Sequence, residues 1–174
     1  SQLASAVSLA GGLGIIETSS GELDAIKGEI AAMRSLTDKP FGVNVAQMFV
    51  RDVDGLLTFL FDNEVSFVTT SAGDPAVLVP RLKDAGVTVF HVVPSMRGAE
   101  KAAEAGVDGL VIEGIEGGGF KNAKGASSLV LIPEIAQRFP ELPIIAAGGF
   151  VDGRSMAAAL ALGVRRRHQV GDRP

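Results

Sequence analysis

The feature that most constrains this chain is an alternation of short runs rich in β-branched residues with stretches of helical spacing. The runs are LGII at 13–16, FGVNV at 41–45, SFVTT at 66–70, VTVFHVV at 87–93, DGLVIE at 108–113 and PIIAAGG at 143–149. Between them, Leu23, Ile26, Ile30 and Met33 fall on one helical face, and Val53, Leu57, Leu60 and Phe61 repeat the device. Asp74-Pro75 offers an N-cap with proline at the first helical position, while Pro80 is expected to kink or shorten that helix. Ala85-Gly86 and Ala105-Gly106 put glycine just past two helix ends. Repeated β/α units of this kind build a parallel sheet.

Unit length chooses the architecture. Strand starts recur about every 20–35 residues, the spacing of simple right-handed βαβ units. Six units follow one helix-like segment, SQLASAVSLAGG at 1–12. A doubly wound sheet would carry its glycine fingerprint after the first strand, whereas AGGLG at 10–14 comes before one. The expected fold is therefore α/β, a (β/α)8 TIM barrel that is incomplete, with about six units present and the first and last strands missing. Residues 1–164 form the barrel domain. The RRRH run at 165–168 cannot serve as an interior strand, because unpaired buried charge is too costly. Residues 165–174 are expected to be an exposed, disordered tail.

Composition excludes several function classes. Hydrophobic residues make up 47% of the 174-residue chain, and buried parallel strands account for that better than a membrane span does. No apolar run approaches the roughly 18 residues of a transmembrane helix. A net charge of −4, with no Trp or Tyr, argues against a nucleic-acid surface. Zero Cys excludes disulfides, thiolate nucleophiles and cysteine metal sites, and no metal is expected. No signal peptide is visible, so the expected location is cytoplasmic.

Two loops follow strand C-terminal ends, where barrels build their sites. EGIEGGGFKNAKG at 113–125 is long and glycine-rich, as a binding loop or lid would be. AAGGFVDGRS at 146–155 places Gly148 and Gly149 ahead of a helix that Asp152 can cap. Such a turn suits a phosphate, and a plain tight turn would look the same. Asn44 lies on an apolar strand, where it either meets a ligand or bonds neighbouring backbone. Glu113 at a strand end is a ligand contact or a solvated carboxylate. His91 is a candidate base near the barrel mouth or a hydrogen-bonded interior histidine. Thr70 and Ser95 read as local turns and caps. Lys121 and Lys124 steer an anionic substrate or simply solvate the loop.

Four stretches together carry a resemblance: KPFGVNV, FVTTSAGDP, VVPSMRGAEKAAEAGVDGLVIEGIEGGG and LPIIAAGGFVDGRSMAAALALGV. They resemble the nitronate monooxygenase family, also called 2-nitropropane dioxygenase-like, whose close relatives are the enoyl-ACP reductase II flavoproteins. The resemblance implies an FMN-binding TIM barrel oxidising alkyl nitronates with oxygen, or an NAD(P)H-dependent reductase of the second type. It also implies flavin-ring contact by Asn44, a pocket side lined by Glu113, Gly118 and Gly119, and phosphate contact at Gly148 and Gly149. Phe120 stands where the family has its histidine base, and phenylalanine cannot carry a proton. A truncated, non-catalytic barrel remnant is the other reading. The expected partners are a small-molecule substrate, NAD(P)H and further copies of the chain, with neither nucleic acid nor membrane.

Overall fold

The helices Leu23–Leu36, Val53–Asp62 and Pro75–Asp84 form on apolar faces, and aspartates cap two of them. In the computed structural model, which describes residues 1–118 and 125–164, seven helices and six strands are seen. They run α1 (Gln2–Leu9), β1 (Gly14–Glu17), α2 (Leu23–Leu36), β2 (Phe41–Ala46), α3 (Val53–Asp62), β3 (Phe67–Ser71), α4 (Pro75–Asp84), β4 (Thr88–Val93), α5 (Met96–Glu104), β5 (Gly109–Glu113), α6 (Ser128–Arg138), β6 (Ile144–Ala147) and α7 (Gly153–Ala161). All six anticipated runs contain strands, and the expected tail at 165–174 lies outside the described residues. The chain divides into two compact units, Ser1–His91 and Val92 onward.

In the first unit β1, β2, β3 and β4 pair in sequence order, all parallel. Val43, Val45, Val68 and Val89 share one sheet face by strand alternation and are fully buried. That is the face the crossover helices cover, and α2, α3 and α4 bury Ile26, Ile30, Met33, Leu56, Leu57, Leu60, Leu78 and Leu82. Asp52 caps α3 by accepting from Gly55 N at 2.8 Å, and Asp74 caps α4 by accepting from Ala76 N at 3.1 Å. Pro80 does not shorten its helix, because α4 runs through it to Asp84. Ala76, whose carbonyl loses its partner there, is exposed and can be hydrated, while Leu78, Val79 and Leu82 hold the inner face.

In the second unit β5 pairs with β6 in parallel, from Leu110–Ile144 to Glu113–Ala147. Leu110, Val111 and Ile112 are buried with Leu131, Ile132 and Ile135 of α6, which also carries an internal proline, Pro133. The last strand is shorter than the sequence implied. It stops at Ala147 because Gly148 and Gly149 take φ of 87° and 80°, leaving the β region.

Candidate functional site

Strand alternation decides which side chains can meet in the first unit. Asn44 of β2 stands beside Thr69 of β3, and Ser71 lies two residues further along the same face. Thr69 Oγ1 donates to Asn44 Oδ1 at 2.9 Å, and Asn44 Nδ2 donates to Ser71 Oγ at 3.2 Å. This ladder fixes the orientation of the Asn44 amide and leaves one N–H of Nδ2 uncommitted to it. One turn beyond, Gln47 holds the C-terminal end of β2 against the β3–α4 turn, with Gln47 N donating to Ser71 O at 2.9 Å. Gly73 makes room for the Gln47 side chain, since a Cβ there would lie 2.6 Å from Gln47 Cβ. Gln47 Nε2 is the one buried side-chain polar atom without a hydrogen-bond partner among the described residues.

His91 belongs to the other face. It stands beside Thr70, the neighbour of Thr69, and Thr70 Oγ1 and His91 Nδ1 are 2.7 Å apart. Adjacent residues of a strand point to opposite sides, so His91 turns toward the helices and away from Asn44. Burial lowers its pKa from 6.5 to about 4, against a smaller upward pull from Asp74. Of the two readings of His91, the Thr70 pairing and the strand parity agree with the hydrogen-bonded interior histidine.

The second unit holds the glycine loops. Gly114 is glycine because a Cβ there would strike the Ser128 backbone, whereas one on Gly117 would meet only the movable Glu113 side chain. A Cβ on Gly148 would sit 2.7 Å from Gly117 N, so these two turns touch backbone to backbone. Gly118 differs, with no atom of the described residues within 4 Å of the place its Cβ would occupy. At the start of α7, Asp152 accepts from Arg154 N and Ser155 N at 3.1 and 2.8 Å, while Ser155 Oγ accepts from Val151 N and Asp152 N. The hydrogen bonds from Ser155 hold the Asp152 carboxyl below the usual carboxylate range. This capping box occupies most of the donors that the sequence reading offered to a phosphate. Gly119, Phe120, Lys121 and Lys124 lie outside the described residues.

A family model described as nitronate monooxygenase matches residues 1–55 and 46–172. The chain belongs to the nitronate monooxygenase family. Within and around this family, it is 30% identical over 200 residues to a nitronate monooxygenase of Neurospora crassa, covering 92% of this chain and 53% of that protein. It is 35% identical over 164 residues to (3aS,4S,5R,7aS)-5-hydroxy-7a-methyl-1-oxo-octahydro-1H-indene-4-carboxyl-CoA dehydrogenase of Mycobacterium tuberculosis, covering 93% of this chain and 45% of that protein. Among solved structures, FabK from Thermotoga maritima superposes with a TM-score of 0.84 at 41% identity, over 94% of this chain and 51% of that one. The nitroalkane oxidase of Streptomyces ansochromogenes superposes with a TM-score of 0.80 at 27% identity, over 94% and 58%. This member of the nitronate monooxygenase family thus spans about half the length of the relatives it matches. Its six parallel strands are units of a TIM barrel.

Four polar residues of this family member escaped the sequence reading of the site: Gln47, Ser71, Glu116 and Ser128. For Ser71 the available signal was its spacing, since it lies at a strand end two residues from Thr69. The others are found only once loop contacts are known.

Proposed function

We propose that this chain carries part of an FMN-dependent oxidoreductase of nitronate monooxygenase type, acting on a small-molecule substrate. The observation that carries the reading is the Thr69–Asn44–Ser71 ladder, which aims the amide that the family resemblance assigns to the flavin ring. The residues present fit the ring end of such a group. In the first unit Asn44 keeps a donor and Gln47 Nε2 has no protein partner among the described residues. The family resemblance assigns Glu113 and Gly118 of the second unit to the cofactor as well, and the Gly148-Gly149 turn is what remains for the phosphate once Asp152 and Ser155 have taken the α7 donors. When bound, the flavin would supply the two-electron redox chemistry, and the protein binding, orientation and electrostatics.

The proton steps favour a weak nitronate oxidase. Phe120 replaces the base by sequence, and His91, directed to the helix face with a pKa near 4, would be a neutral interior group at working pH. The 41% identity to FabK favours a second reading, reduction of an unsaturated acyl substrate by NAD(P)H through the same flavin.

The test is direct. Purified protein should bind FMN, seen as yellow colour and visible absorbance, and Asn44→Ala should weaken that binding severalfold. Oxygen uptake with an alkyl nitronate should be low and rise in Phe120→His, base catalysis contributing about 10²–10⁴-fold. NADH oxidation with an enoyl thioester and no response to nitronate would select the reductase. A colourless protein that takes up no added FMN would leave the barrel remnant.

A further inference from the structure

Glu116 makes more contacts than a loop carboxylate needs. Its Oε1 and Oε2 accept from Ser128 N at 3.2 and 3.1 Å, and Ser128 Oγ donates to Oε2 at 3.0 Å. Ser128 opens α6, so the carboxylate sits on that helix's N-terminus, where the helix dipole favours negative charge. The Ser128 hydroxyl also lies 3.4 Å from Gly148 O. On the other side, Glu116 Cβ is 3.2 Å from where a Gly149 Cβ would be, and Gly117 N is packed on Gly148. The glycine loop, the start of α6 and the Gly148-Gly149 turn therefore converge on one carboxylate and one buried serine.

We infer that Glu116, through Ser128, is a positioning residue that latches the Gly114–Gly118 loop to the Gly148-Gly149 turn and so presents Gly118 to the ligand. The latch stands on geometry alone, whereas its effect on FMN rests on the function proposed above. Side-chain length is part of the claim. Glutamine keeps one acceptor for the Ser128 amide at the same reach, but aspartate is one methylene short.

Amide hydrogen exchange and FMN titration on the whole chain separate these points. In Glu116→Ala the Ser128 and Gly117 amides should exchange about tenfold faster, the scale of one lost hydrogen bond to a charged group. FMN affinity should fall by a similar factor. Glu116→Gln should recover most of both, and Glu116→Asp should recover neither. Ser128→Ala, which removes only the hydroxyl, should fall between parent and Glu116→Ala and serves if the latter folds poorly. Unchanged exchange in Glu116→Ala would overturn the latch. Faster exchange with unaltered FMN affinity would overturn the positioning role. A parent that binds no FMN, while Glu116→Ala still frees both amides, would remove the flavin reading and leave the latch supported.

Discussion

The Thr70–His91 pair makes this protein's stability depend on pH in a predictable direction. The histidine titrates near 6.5 when unfolded and near 4 when folded, because burial penalises the imidazolium. Between those values the unfolded chain binds more protons than the folded one, so stability falls as pH falls from 6.5 to 4. The loss attributable to His91 is at most about 3 kcal/mol. With no Trp or Tyr in the chain, it is best followed by circular dichroism in urea at several pH values. His91→Asn should flatten the slope over that window, and an equal slope in both proteins would refute the assignment. Gln47 gives a prediction of the opposite sign. Replacing an amide whose buried N–H has no partner with an apolar residue of similar size should stabilise the protein, by about 1 kcal/mol for Gln47→Leu. A lower urea midpoint for that variant would show that the amide is satisfied in solution. Neither residue's environment was legible in the sequence. FHV fixes a histidine on a strand, but which face it takes depends on where pairing begins.

At the scale of elements, the alternation and the caps were legible because each rests on local spacing. Asp74, Ser95 and Asp152 cap the helices that follow them as expected, and Asp52 adds a cap on α3 that was not anticipated. That Pro80 leaves its helix unshortened was not legible, because a proline's cost depends on whether water reaches the freed carbonyl, and burial is set by the fold. Docking of α1 on β1 was likewise invisible. It depends on Gly14, where any Cβ would meet the carbonyl of Ala4, and on Ser8 Oγ, which accepts from Gly14 N at 3.0 Å and donates to Pro40 O at 2.9 Å. Gly14→Ala should therefore cost about 1–3 kcal/mol through backbone displacement, measured as a lower melting temperature. Ser8→Ala should add to it less than independently, because both changes act on one contact. Full additivity would separate the two.

Among the described residues β1 has β2 and β6 has β5 as its one strand neighbour, and Ile15 and Ile145 are 37% and 44% exposed. Strands with one free side and exposed apolar residues recruit further strands. This chain should self-associate as its concentration rises, and Ile15→Lys should reduce that association in sedimentation experiments. A monomer at every concentration would remove the idea. No helix among the described residues is long and apolar enough to cross a membrane. The fold was the most legible layer, since one repeated pattern specifies it. The glycine loops were the least, since the same letters serve self-contact and ligand contact. That ambiguity could be resolved without any ligand in hand. Gly114 and Gly148 are glycine because backbone atoms crowd them, whereas none of the described residues comes near a Cβ at Gly118. In a randomised library sorted only for survival against protease, the first two should stay fixed while Gly118 drifts freely. Sorting the same library for retained colour should fix Gly118 as well. A glycine's persistence among variants would then report which selection had been applied, and two of these three would persist long after any enzyme had fallen silent.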